Sequence, residues 1–202
     1  MIAFAIASLV LLVIPGPAVL YVINRSISDG RSTALAAVAG LEIGNFMHVV
    51  AATLGLSAVI AASAAAFGVV KWIGAGYLIY TGIRTLSRKP ATFNQEQKSL
   101  SRRKSFTQGI VVNTFNPKVA LFFLSFLPQF IDTEKGSTAL QSLVLGSIFV
   151  LLGMCSDGLY AILASALRGP LLRGKSLPFV QRYVAGSVFV LLGVIAASTK
   201  RS

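Results

Sequence analysis

Three acids and bases lie where an apolar chain would not be expected to carry them. Glu42 sits in GLEIGNFMH, Lys118 in NTFNPKVALFF and Asp157 in GMCSDGLYA. On a helix, residues three apart share a face, so Glu42, Asn45 and His48 form one polar stripe. A carboxylate, an amide and an imidazole in a row can pass a proton or hold an ammonium group. The second group is Asn113, Asn116, Pro117 and Lys118. Each asparagine can donate and accept, and Lys118 offers a positive charge to a carboxylate. Alternatively, it snorkels to the cytoplasmic interface, because it lies near the start of its apolar run. Asp157 is expected opposite Lys118, as a switchable partner or as a structural ion pair.

The chemistry these residues do not provide is as informative. One histidine makes a His-rich metal site unexpected, and no nucleophile–base pair is apparent, so the chain does not read as an enzyme. A single cysteine, Cys155, excludes an internal disulfide and a thiol relay. No cofactor is implied. A net charge of +12 invites a nucleic-acid reading, but the basic residues fall between apolar runs and no basic face of a soluble domain is built.

The elements that must position these groups are membrane helices. The chain has 202 residues, of which 55% are hydrophobic and only 12% charged, about half the charge of an ordinary soluble domain. A lipid bilayer takes about 20 apolar residues per helix. Six such runs are present, at 2–23, 34–60, 65–86, 109–131, 138–167 and 179–199. The first lacks a basic leader and a small-residue cleavage site, so it reads as a span rather than a signal peptide. It begins abruptly, and the natural start is expected a few residues upstream. Lys and Arg placement sets orientation. With the N-terminus outside, the cytoplasmic loops hold Arg25 and Arg31, the cluster Arg84, Arg88, Lys89, Lys98, Arg102, Arg103 and Lys104, and then Arg168, Arg173, Lys175 and Arg182. The other side holds Lys71, Lys135, Lys200 and Arg201. Both termini are then expected outside the cytoplasm, unless the fourth run is re-entrant. The segment 87–105 reads as a basic, topology-setting cytoplasmic loop. Asp29, Glu96, Asp132 and Glu134 read as solvated loop acids.

The halves 1–86 and 106–202 echo one another. Pro17 is matched by Pro117, STAL at 32–35 by STAL at 137–140, and Ala75-Gly76 by Ala185-Gly186. Three spans per half make the second half enter from the opposite side. The expected fold is an all-α membrane protein, one domain of six transmembrane helices arranged as two inverted three-helix repeats, a common plan for secondary transporters. Proline breaks a helix, and paired breaks in two halves are the strongest sequence pointer to a midplane substrate site. Pro15, Gly16 and Pro17 form one break, and Asn116, Pro117 and Lys118 the other. Open helix ends offer carbonyls to a cation and N–H groups to an anion, which suits a zwitterion. Gly40 and Gly44 form a small-xxx-small pair for close helix approach.

The stretches IPGPAVLYVINRSISDGRSTALAAVAGLEIGNFMH, KWIGAGYLIYTGI and NTFNPKVALFFLSFLPQF, in that order, resemble the LysE/RhtB-type amino-acid exporters of bacteria over essentially the whole chain. The resemblance implies an inner-membrane exporter of small amino acids or derivatives, such as lysine, threonine, homoserine or its lactone, driven by the proton motive force. It implies site roles at Pro15, Gly16, Pro17, Gly40, Gly44, His48, Asn116, Pro117, Lys118 and Asp157. Glu42 and the short N-terminus depart from the family pattern, so Glu42's role rests on position alone. The partners implied are an amino-acid substrate, protons and the lipid bilayer, and any helix face can serve a homo-oligomer. A passive channel and a non-transporting assembly protein are the alternative functions.

Overall fold

The computed structural model describes residues 1–62 and 99–167, and singly 69, 72, 76, 79, 80, 83, 84, 86, 87, 183, 187, 190 and 194. Every regular element among the described residues is helical: α1 (Ile2–Val13), α2 (Pro17–Asp29), α3 (Arg31–Ala62), α4 (Arg102–Thr114), α5 (Pro117–Ser125), a 3-10 turn (Leu127–Phe130) and α6 (Thr138–Ala166). Helices α3, over Arg31–Gly55, and α6 are each long and apolar enough to cross a membrane. The bent pairs α1–α2 and α4–α5 pass the same test together, which gives two to four candidate spans among the described residues. The expected third and sixth spans, 65–86 and 179–199, lie outside the described residues, and so does most of the basic loop.

Both breaks follow from proline. The residue before a proline is pushed out of the α region. Ile14, before Pro15, has φ −73° and ψ 124° and ends α1. Gly16, before Pro17, is extended as well, and α2 then starts with proline in its first turn, where the missing N–H costs nothing. The axis turns by 51°. In the second break only Asn116 precedes a proline. It is extended at φ −78° and ψ 106°, and its side chain accepts from the Lys118 backbone N–H as a cap. There the turn is 44°. The expected runs were also too short at their polar ends. Helix α2 continues past Ile23 to Asp29, and α4 begins at Arg102, ahead of Gly109.

Two apolar clusters sandwich a polar layer. One is aromatic and joins Phe4, Leu11 and Ile14 to Val49, Phe122, Phe123, Phe126, Leu145 and Phe149. The other is aliphatic and joins Val22, Ala34, Val38, Leu41 and Ala161, with Val19, Ile23, Ile27 and Ala164 beside it. The broken pair α1–α2 runs from the aromatic cluster to the aliphatic one, whereas α3 runs the other way. The pair α4–α5 also opposes α1–α2. At its start the Leu100 N–H donates to Asp29 at 3.2 Å, beside the C-terminus of α2, and at its end Phe130 packs edge-on against Phe4 at 5.3 Å. Segment 100–130 therefore traverses the full length that α1–α2 covers. A re-entrant loop would return to the side it entered.

Asp29 corrects the sequence reading. It is not solvated: Arg25 and Asp29 form a buried ion pair of 2.7 Å within α2, and Arg25 is a helix residue rather than a loop cation. A charge pair one turn apart can be buried because each partner offsets the other's charge. Asp132 does lie on the surface and pairs with Lys135 at 2.9 Å. That lysine and two backbone N–H groups hold its carboxyl below the usual range.

Helices α3 and α4 meet with almost no side chain between them. A Cβ at Gly40 would collide with the Phe106 carbonyl, one at Gly44 would lie 2.8 Å from the Asn113 Cβ, and one at Gly109 would lie 2.5 Å from the Ala37 carbonyl. The expected close approach at Gly40 and Gly44 is therefore present, with Gly109 as its counterpart on α4.

Candidate functional site

The polar layer begins on α3. Asn45 Nδ2 donates to Glu42 Oε2 at 2.9 Å. Across the glycine contact, Asn113 Nδ2 donates both to Asn45 Oδ1 and to the Leu41 carbonyl, each at 2.7 Å. Asn116 Nδ2 donates to Asn113 Oδ1 at 3.0 Å. The amides thus form one directed chain, Asn116 to Asn113 to Asn45 to Glu42, with every donor pointing toward the carboxyl group. Glu42, Asn45, Asn113, Asn116, Lys118 and Asp157 are all between 1% and 7% exposed. Buried amides of this kind are tolerated because they satisfy one another. The exception is Glu42 Oε1, which is buried and has no hydrogen-bond partner.

Pro17 and Pro117 also each deprive one carbonyl of its helical donor. In a continuous helix Val13 would accept from residue 17 and Asn113 from residue 117, and both of those residues are proline. The Asn113 carbonyl is reached by His48 Nε2 at 2.9 Å. A carbonyl only accepts, so that nitrogen carries the hydrogen. The His48 ring lies parallel to Phe123, 6.3 Å away. The Val13 carbonyl is reached by the Tyr160 hydroxyl at 2.7 Å. The pattern crosses over: α6 serves the first break, and α3 serves the second.

Lys118 turns inward. Its Nζ donates to the Ile14 carbonyl at 2.8 Å, and its stem crosses Gly16, where a Cβ would stand 3.1 Å from Lys118 Cδ. The second break therefore reaches into the first. Asp157, on α6, interacts electrostatically with both Lys118 and Glu42. One turn earlier on α6, a Cβ at Gly153 would fall 2.8 Å from Glu42 Oε2 and 2.9 Å from Oε1. The glycine is what lets α6 lie against the carboxyl group.

The structure thus brings together Pro15, Gly16, Pro17, Glu42, Asn45, His48, Asn113, Asn116, Pro117, Lys118 and Asp157. Gly40 and Gly44 belong to the same region but face the backbone of α4. Sequence reasoning missed Tyr160 and Gly153. Tyr160 was discoverable, being three residues after Asp157 and hence on its face. Gly153 carried no signal beyond its size.

A model of the LysE type translocators matches residues 9–200. An "uncharacterized membrane protein" of Vibrio cholerae is 32% identical over 199 residues, which is 98% of this chain and 96% of that one. The homoserine/homoserine lactone efflux proteins of Salmonella typhimurium and Salmonella typhi are each 35% identical over 166 residues, covering 80% of this chain and 79% of theirs. No solved structure matches.

Proposed function

The chain belongs to the LysE type translocator family, and on that premise we propose that it exports small amino acids or their derivatives across the bacterial inner membrane, by alternating access and at the expense of the proton gradient. The observation that carries this reading is the buried polar layer formed where two broken helices of opposite sense meet. A membrane does not tolerate irregular backbone unless it lines a site or is covered by protein. Here it is covered by Lys118, Tyr160 and His48, all groups able to exchange partners. The opposite sense of α1–α2 and α4–α5, and the crossed service of their carbonyls, support the plan of two inverted three-helix repeats. The end of the bundle that carries Arg31 and Arg102 would face the cytoplasm, which would put the N-terminus outside; a sixth span at 179–199, as the sequence reads, would bring the C-terminus out as well.

The relatives' names sharpen the substrate class. Homoserine and its lactone share an ammonium group, but only homoserine has a free carboxylate. A site serving both must recognise the amine first. Carbonyls at a helix break and the acids Glu42 and Asp157 supply that recognition, and Lys118 can meet a carboxylate when one is present. Protonation of Glu42 or Asp157 would alter the charge of the layer and so bias inward-facing against outward-facing states. An unpartnered buried oxygen on Glu42 suits a group that gains and loses a proton.

Efflux from cells preloaded with labelled homoserine, threonine, lysine or leucine tests the reading. Saturable efflux of one small class should appear and collapse on addition of an uncoupler. In the Glu42→Gln, Asp157→Asn double variant the residual efflux should no longer respond to the gradient. Flux linear in concentration and indifferent to the uncoupler would indicate a passive channel instead. If the double variant stays fully gradient-dependent, the coupling role of these acids is wrong.

A further inference from the structure

We propose that the Ile14 carbonyl is the docking point for the substrate's ammonium group, and that Lys118 occupies it as a tethered substitute whenever the site is empty. The inference rests on the export reading above and adds to it a specific acceptor atom and a resident competitor.

Three observations converge on it. First, an ammonium group already sits there: Lys118 Nζ lies 2.8 Å from the Ile14 oxygen. Second, the position is shaped for an alkylammonium. Ile14 is extended rather than helical, so its carbonyl leaves the helical ladder, and Gly16 offers no side chain where the lysine stem crosses. Tyr160 takes the neighbouring Val13 carbonyl, which leaves the Ile14 oxygen as the acceptor for the cation. Third, Asp157 acts electrostatically on the ammonium at that position, and it would act equally on a guest. A Lys stem is long and flexible. Displaced by a substrate amine, Lys118 keeps its charge in the layer and becomes available to the substrate carboxylate. With no substrate it falls back, so the empty carrier never carries a bare carbonyl and an uncompensated Asp157 through the membrane. Free cation and tethered cation are alternatives at one oxygen, and a bound zwitterion leaves the net charge of the layer as it was.

The test uses n-propylammonium, an amine without a carboxylate, and the full chain in lipid nanodiscs with 15N at the lysine Nζ atoms. The Lys118 signal is identified by its loss in Lys118→Met. Propylammonium should shift that signal in the wild type. In Lys118→Met, with the resident competitor gone, the probe should bind about tenfold more tightly, as expected when a site blocked about nine-tenths of the time becomes open. Lys118→Gln keeps much of the stem but presents a neutral amide, a weaker partner for the carbonyl than the ammonium group. It should show a gain in the same direction, and it carries the test if Lys118→Met does not fold. An unmoved Lys118 signal, or affinity unchanged or weakened in variants that melt like the wild type, overturns the proposal. Amino-acid efflux measured in parallel separates the two readings. A Lys118 signal displaced by the amine without any efflux removes the export reading and leaves the ammonium site. Saturable efflux with an unmoved Lys118 does the reverse.

Discussion

The two helix breaks solve one problem in opposite ways. The Asn-Pro-Lys break supplies most of its own partners, with His48 of α3 adding one more. Asn116 caps the new helix, its backbone N–H returns to the Asn113 carbonyl at 3.0 Å, and Asn113 anchors the segment to α3 through two bonds. The Pro-Gly-Pro break has two extended residues and no polar side chain. It borrows Tyr160 from α6 and Lys118 from the other break. One break is therefore a fixed support and the other a buried acceptor whose partners come from elsewhere. The difference shows that a matched pair of motifs need not have matched surroundings: the partners of the apolar break are side chains that can swing away, which is what the proposed ammonium site requires.

The largest effect should come from the support of the fixed break. Gly40→Leu would drive a side chain into the Phe106 carbonyl of α4. A backbone contact cannot yield as a side chain can, so loss of folded protein is expected, read as the absence of a monodisperse peak on extraction. A well-folded Gly40→Leu variant would mean that α4 is not clamped and that the second break is as mobile as the first. Asn113→Leu comes next. It keeps the volume but removes the bonds to Leu41, Asn45 and Asn116. Bonds between membrane helices contribute about 0.6 kcal/mol each on average and at most about 1.7, so a loss of about 2–3 kcal/mol is expected in reversible unfolding from micelles, together with loss of efflux. A cost no greater than that of losing Tyr160's hydroxyl would erase the distinction between the breaks.

The sequence made the breaks and the α3 stripe legible because both are local. Proline acts on its own residue and the one before it, and residues three apart share a helix face whatever surrounds them. The partners across the bundle were not legible. That Lys118 reaches Ile14 rather than the membrane surface depends on how the two breaks are apposed, and that Tyr160 serves Val13 depends on where α6 lies. Asp29 was misread for a different reason. Counting apolar residues ends the first span at Ile23, but the polar turn 24–29 remains helical and is covered by neighbours. Once the helix is extended, Arg25 and Asp29 fall one turn apart and their pairing becomes visible. Gly109 was overlooked because it opens an apolar run, where its small size has no meaning until α3 is placed against it.

The smallest effect distinguishes the breaks most finely. Tyr160→Phe keeps the ring and removes only the hydroxyl that donates to the Val13 carbonyl, a carbonyl that proline has deprived of its helical donor. His48→Gln removes the ring nitrogen that serves the Asn113 carbonyl, but there the Asn116 N–H remains at 3.0 Å. A stranded carbonyl in lipid costs more than one that keeps a second donor. Tyr160→Phe should therefore destabilise by about 1 kcal/mol, and His48→Gln by less, both read from thermal unfolding in the same detergent. Function should follow the same order for a separate reason. Without its hydroxyl, the first break exposes a second carbonyl beside that of Ile14, and Lys118 gains an alternative resting place, so the concentration of amine needed to displace it should change. In His48→Gln that concentration should stay as in the wild type, because His48 touches the fixed break and not the acceptor. If His48→Gln instead proves the more costly of the two, the Asn-Pro-Lys break is the open one, and the assignment of support and acceptor has to be exchanged.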